Sequence, residues 1–406
     1  MTTNWSGNYT YRAARLHEPA THDELRAIVR DASALRVLGS RHSFNGIADT
    51  TGDQVSLAGL DPDIRIDADA ATVSFSAGTR YGDLARVLRP AGWALHNLAS
   101  LPHISVAGAV ATATHGSGIA LGNLSTAVVG LEILRADGEL VALDRDSADF
   151  AGAVVGLGAL GVVTRLTLAI EPTFDVAQTV FLGLDWDTVS QRFDEIMGAA
   201  YSVSLFTDWS DSGVQQVWVK SRGGAVTELA GAPLATSPQH PILGAPADFA
   251  TEQLGAPGPW DQRLPHFRLE FTPSSGEEIQ TEYLLPRSSA PDAIAAVRAI
   301  QPLFADLLFV SEIRTIAADD LWLSTAYRRD SLAFHFTWKR DQAAVDAVLP
   351  ALEAALAPFA PRPHWGKVFA SFDADYPRLG DFAELLDRWD PRGVFRNDFV
   401  RSLLTE

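Results

Sequence analysis

Apolar and polar positions along the first 170 residues alternate between helical and extended spacing. Thr21-His22-Asp23-Glu24 has the Ser/Thr-x-x-Glu spacing of a capping box, and the apolar pattern of the following LRAIVRDA predicts a helix. Residues 35–38 are short and mostly apolar and end in the loop Gly39-Ser40-Arg41-His42-Ser43-Phe44-Asn45, whose glycine lets backbone N–H groups approach a ligand closely. A strand is predicted over 72–76 and a helix over 81–88. Residues 98–118, LASLPHISVAGAVATATHGSG, are dominated by Gly, Ala, Ser and Thr, with His as their one charge-capable type, which suggests backbone packed against something flat or phosphate-bearing. Two apolar runs, 127–134 and 139–143, flank the hairpin signal Ala136-Asp137-Gly138. Gly156 to Gly161 then leads into β-rich residues 162–170, and Pro172 reads as a domain edge.

Beyond that edge, 186–201 reads as helix and 215–220 as strand, while 223–258 is a long connection dense in Pro, Gly and Ala, the kind that serves as a lid or irregular insertion. Residues 268–337 supply several strands around an Ala-rich helix at 291–303. Over 332–339, Phe334, Phe336 and Trp338 take one face while His335 and Thr337 take the other. Over 308–316, Glu312 and Arg314 share a face opposite Ile313. One sheet face is therefore packed. The other presents Glu, Arg, His and Thr, and period 2 alone does not distinguish a cavity from bulk water. No internal repeat is present.

Composition narrows the function. At 406 residues the chain is long for one core, so two domains are expected, and 47% hydrophobic with 20% charged residues is ordinary for a chain folded throughout. A net charge of −18 argues against nucleic acid or an anionic membrane surface as partner. The start MTTNWSG has no basic-then-apolar segment, and no window nears the roughly 18 uninterrupted apolar residues of a spanning helix, so a cytoplasmic location is expected. With no cysteine, disulfides, thiolate nucleophiles and Cys-ligated metals are excluded. No metal site is expected. The cations are 29 Arg and only three Lys, at 220, 339 and 367, so each lysine raises a question.

The G-x-G-x-x-G match at Gly156 to Gly161 runs into a strand instead of opening a helix, and no Walker loop, His-Glu-x-x-His helix or G-x-S-x-G elbow is present. What rises above background is three glycine-bearing small-residue segments, around 39–45, 98–118 and 156–163. Together they can wrap an extended dinucleotide without a Rossmann turn, because free N–H groups can neutralise a pyrophosphate.

The string LGSRHSFN, with NLASLPHISVAGAVATATHGSG and LGALGVVT, resembles the FAD domain of vanillyl-alcohol-oxidase-like flavoproteins, specifically the alditol (xylitol) oxidases. The likeness continues through YSVSLFTDW, GAPGPW, LPHFRLEFTPSSG, YLLPR, EIRT, HFTW and RPHWGKVF to DPRGVFRNDFVR, essentially the whole chain. It implies an α+β fold with a two-subdomain FAD-binding domain of the PCMH type over residues 1–172. A substrate-binding cap with a large antiparallel sheet would follow over 173–370, and a C-terminal segment, 371–406, would return to the FAD domain.

The resemblance also assigns residues. His42 matches the histidine joined covalently to the flavin; on its own, a His in such a loop is more often a surface or hydrogen-bonded residue. Arg41 departs from the glycine of many relatives at that position. Val37, Leu38, Gly39, Ser40, Arg41, Ser105, Gly108, Ala109, Val110, Ala111 and Val162 would line the FAD, with His364 reaching it from the C-terminal part. Ser100 and Thr337 would touch both flavin and substrate. Glu312, Arg314, Thr337 and Lys367 match substrate contacts, with Gln280 and His335 behind them, and Lys367, Arg314, Glu312 and His335 form the expected catalytic set. Their chemistry fits: Arg and Lys favour alkoxide character on an alcohol losing a hydride, and Glu312 orients neighbouring hydroxyls. If exposed, Glu312 and Arg314 would be only a same-face salt bridge worth about 0–1 kcal/mol.

The expected activity is oxidation of a primary hydroxyl of alditols of the xylitol or sorbitol type to the aldose, with oxygen reduced to hydrogen peroxide. Small Ala99 beside Ser100 would leave a path for oxygen. The protein is expected to act as a monomer. Two other readings stand beside it: a sugar-1,4-lactone oxidase or dehydrogenase, and a flavin- or sugar-binding protein without turnover.

Overall fold

In a computed structural model, residues 2–270, 277–372 and 374–404 are described. Part of the string LPHFRLEFTPSSG therefore lies outside the described residues.

The predicted capping box forms. The Thr21 hydroxyl accepts from the Glu24 N–H at 3.2 Å, the Glu24 carboxylate accepts from the Ala20 N–H at 2.8 Å, and helix His22–Asp31 buries Leu25 and Val29. That helix packs on a small parallel sheet ordered Arg15–His17, Asp53–Val55, Leu35–Val37, whose core also takes Val394 and Phe395 from near the C-terminus. A five-stranded antiparallel sheet follows, ordered Arg65–Asp67, Thr72–Ser76, Val162–Ala169, Val128–Leu134, Leu140–Asp144. Phe382, Leu385, Leu386 and Trp389 of helix Leu379–Trp389 enter its core.

The third sheet has eight antiparallel strands, ordered Pro257–Pro259, Asp175–Leu184, Val214–Ser221, Ser202–Thr207, Leu308–Ile316, Ser331–Lys339, Glu278–Pro286, Arg362–Pro363. Helices Ala290–Ile300 and Gln342–Leu356 cover one face. There Ile313, Phe334, Phe336 and Trp338 are buried with Val217 and Val219, as the alternation predicts. The opposite face carries a continuous polar row: Glu312 lies directly across from His335, and His335 directly across from Glu282. The next row joins Val310, Thr337 and Gln280.

Three elements differ from the sequence pattern. The helix expected over 186–201 is two short ones, Trp186–Gln191 and Phe193–Met197, broken at Arg192, which has φ −123°. The small-residue stretch 98–118 contains helix Val106–Ala111, unread because glycine and β-branched residues have low helix propensity, which burial overrides. The connection 223–258 contains a 3-10 turn, Ala247–Phe249, and its end forms edge strand Pro257–Pro259.

Candidate active site

Between the small-residue segments of the first half and the polar face of the large sheet lies a cavity of about 370 Å³. Val37 through His42, Ser100, Ser105, Gly108 through Ala111, Gln280, Glu312, Arg314, His335, Thr337, His364 and Lys367 line it. Val162 does not. Its side chain is buried in the core beneath helix His22–Asp31, and its neighbours Gly161 and Val163 reach the cavity instead.

The loop 39–45 is held from both sides. Ser40 Oγ accepts from the Ser105 N–H at 3.0 Å, and Cβ atoms at Gly39 or Gly108 would come within 2.5 and 2.7 Å of Ser105 Oγ. Glycine at both positions therefore permits this close approach. Arg41 adopts φ 63°, turning the chain before His42. The half-buried His42 ring stacks on Trp5 with centroids 5.1 Å apart, and its Nδ1 lies 3.2 Å from Ser40 Oγ. Burial pushes the imidazole down to about 4, so it is neutral near pH 7. Helix Val106–Ala111 starts at Ser105 with no side-chain cap, leaving first-turn N–H groups beside the cavity. The discounted glycine segment has a structural use: buried Arg36 donates to the carbonyls of Leu157 and Gly158 at 2.6 and 2.9 Å and to Phe395 at 2.7 Å. This clamps the loop before Val162 to the C-terminal part.

At the other end of the cavity the polar groups converge. Arg314 donates from one nitrogen to the Glu312 carboxylate and to Ser100 Oγ, and Glu312 Oε1 lies 2.8 Å from His266 Nε2. Both Glu312 and Arg314 are buried, so this is not a solvated surface pair. Burial alone would raise the Glu312 carboxyl, but Arg314 and His266 outweigh it and hold the group well below the usual carboxylate range. Glu282 likewise faces His115 Nε2 at 3.1 Å and is held well below its ordinary range against burial. Lys367 Nζ donates to Gln280 Oε1 and lies 5.0 Å from the Phe44 ring centroid, with burial lowering its pKa against the pull of Glu282 and Glu278. His335 and His364 are each lowered to about 3 by burial.

The residues present suit a bound dinucleotide with a flat reactive end. The small-residue wall supplies backbone donors and room for close approach, and the acid, guanidinium and ammonium groups cluster at the opposite end.

Residues 13–144 match the model of an FAD binding domain, and residues 275–403 match that of D-arabinono-1,4-lactone oxidase. The chain is 49% identical, over 99% of its own length and 98% of the relative's, to an alditol oxidase from Streptomyces sp. (strain IKD472 / FERM P-14339). It belongs to the alditol oxidase family. An L-gulono-1,4-lactone dehydrogenase of Mycobacterium tuberculosis is 28% identical over 99% of this chain and 98% of that protein. A solvent-stable cholesterol oxidase shares the fold with TM-score 0.77 at 14% identity, covering 99% of this chain and 96% of that one.

In this alditol oxidase family member the polar cluster also draws in buried residues to which the sequence pattern gave no role. His266 bonds Glu312, His115 faces Glu282, and the buried Lys220 stands behind His266. His266 lies inside the matched string LPHFRLEF, yet nothing local distinguishes it from a loop histidine. For Lys220 a signal existed: it is one of three lysines in an arginine-rich chain, and it directly follows the apolar Val217, Trp218 and Val219 of its strand.

Proposed function

We propose that this chain is an FAD-dependent oxidase that converts a primary hydroxyl of an open-chain alditol to the aldehyde, with oxygen reduced to hydrogen peroxide. The observation that carries the reading is the Ser100–Arg314–Glu312 cluster, with Arg314 and Glu312 buried, which shares one cavity with Lys367 and with the small-residue wall. The 49% identity to an alditol oxidase supports it over a lactone substrate. When bound, FAD supplies the hydride acceptor. Glu312, an anion with two partners, accepts hydrogen bonds from polyol hydroxyls and so orients the carbon that reacts. Lys367 and Arg314 place positive charge where the alcohol oxygen gains negative charge. Thr337 and Gln280, on the next row of the same sheet face, contact the substrate beside them.

His42 is the residue through which the flavin is held covalently in this reading. A neutral imidazole keeps a lone pair for bond formation, and the lowered pKa of His42 keeps it neutral. Residues 1–172 with 371–406 form the flavin-binding part and 173–370 the cap. Incubating purified protein with xylitol, sorbitol and L-gulono-1,4-lactone tests the assignment. Peroxide formation and anaerobic bleaching of the flavin with the polyols are expected. Bleaching by the lactone alone would replace the reading with a lactone oxidase, and no bleaching by any of them would leave a binding protein.

A further inference from the structure

We infer that Lys220 is a positioning residue that holds His266 in the tautomer whose Nε2–H points at the Glu312 carboxylate, fixing the acceptor that meets polyol hydroxyls. The inference rests on the proposed role of Glu312.

Lys220 extends from strand Val214–Ser221 on the polar face of the large sheet and is 1% exposed. Its Nζ donates to the Leu264 carbonyl and, at 3.1 Å, to the Pro265 carbonyl, and it lies 3.1 Å from His266 Nδ1. Burial lowers the Lys220 pKa well below its ordinary range and Glu312 opposes that shift. The three acceptors around Nζ match the three hydrogens of the ammonium, which has no lone pair, whereas a neutral amine would leave one of them facing a lone pair. Facing such a group, Nδ1 must accept, so the ring proton of a neutral imidazole sits on Nε2, 2.8 Å from Glu312 Oε1. The opposite tautomer would set N–H against N–H at Lys220 and a lone pair against a carboxylate at Glu312.

The Arg314 nitrogen 3.3 Å from His266 Nε2 offers no competing donor, because its two hydrogens go to Glu312 and Ser100. Phe206 and Trp218 hold the ring edge-on at centroid distances of 5.5 and 5.2 Å, so it has no freedom to swing away. Lys220, Glu312 and Arg314 are the charged groups that act on His266. Burial and then the Lys220 cation lower its pKa to about 4, so the imidazole is neutral at neutral pH and its tautomer matters.

The test uses flavin-loaded protein and measures KM and kcat for a polyol between about pH 6 and pH 9. In Lys220→Met the imidazole is free to place its proton on Nδ1, toward the vacated carbonyls. KM is expected to rise about tenfold at neutral pH, with kcat within about threefold of the parent. Combined with His266→Phe, Lys220→Met should add nothing to the KM of His266→Phe alone. An unchanged KM, or a rise that is additive with that of His266→Phe, overturns the inference.

Should Lys220→Met fail to fold, histidine ¹⁵N spectra of the parent decide the matter. His266, assigned by its loss in His266→Phe, should carry its proton on Nε2, and a proton on Nδ1 overturns the proposal. A parent that oxidises no polyol would sink the proposed function, whereas the tautomer spectrum still tests the Lys220 contact.

Discussion

The side-chain amide of Asn45 donates to the backbone carbonyl of Lys367 at 2.7 Å. One residue thereby braces the loop that carries His42 against the segment that carries the cavity's lysine. The brace is reinforced by the same amide bonding the Trp365 carbonyl at 2.9 Å and by the Phe44 N–H bonding Gly366 at 2.7 Å. Asn45 also caps the turn Gly46–Ala48, accepting from the Ile47 N–H at 3.1 Å. Replacing Asn45 with Ala strands two carbonyls and removes that cap, at an expected cost of about 2–4 kcal/mol. Denaturant unfolding should show the loss, and the fraction of protein holding flavin after acid precipitation should fall with it.

His42→Ala should release the flavin into the supernatant on acid precipitation, and its intact mass should match the bare polypeptide. The parent pellet should stay yellow and exceed the polypeptide mass by one FAD. A colourless parent pellet would show that the flavin is held without a covalent bond.

Lys367→Met should slow anaerobic flavin reduction by about a hundredfold, corresponding to about 3 kcal/mol of lost charge stabilisation, while changing polyol binding far less. Stopped-flow reduction at saturating polyol measures it. A parent-like rate would move the role to Arg314 or His335, which line the same cavity.

For Glu312→Gln the opposite split is expected. The amide cannot accept from Arg314 and His266 at once, because one of its two heteroatoms is a donor. KM should rise by about tenfold or more, and any fall in kcat should be the smaller change. Steady-state kinetics on the same polyol panel separates the two outcomes.

Stability should fall on acidification. His42 and His266 are lowered by burial to about 4, and His335 and His364 to about 3. Each depressed pKa means that the unfolded chain binds protons first, so the contribution is complete above about pH 6.5 and is lost as pH falls toward 4 and 3. Glu312 and Glu282, held below their ordinary range, act in the same direction at lower pH. Asp319, raised to about 6 by burial, contributes the other way between its ordinary value and 6, as do Asp261 and Glu278, also raised by burial, while His96 and His240, lowered by burial, add to the other four histidines. Thermal unfolding midpoints should be level from pH 8 to about 6.5 and drop steadily from there to about pH 4. A midpoint that rises on acidification would mean these histidines are protonated in the fold.

Much of the architecture was legible locally. The capping box at Thr21, the hairpin at Asp137-Gly138 and the alternations around Ile313 and Phe334 each depend on near neighbours in the chain, and the structure reproduces them. Helix Val106–Ala111 was not legible, because Gly108 and the β-branched Val106 and Val110 offset its three alanines within only six residues, and it is held by burial against the rest of the fold.

The sequence by itself determined which residue types could carry chemistry: no thiol was available, lysine was scarce, and a period of two set Glu312 with Arg314 on one face of its strand and His335 with Thr337 on one face of theirs. Whether that face met solvent or a cavity was decided only by the tertiary structure, since alternation records sidedness and not what lies opposite. The same holds for the partners of Glu312. Arg314 is two residues away and readable, but His266 arrives from a segment 46 residues distant, Ser100 bonds Arg314 from 214 residues away, and Lys220 reaches the cluster only through His266. Contacts of that span follow from sheet order and from how the 223–268 connection folds over the sheet, and no local pattern encodes either.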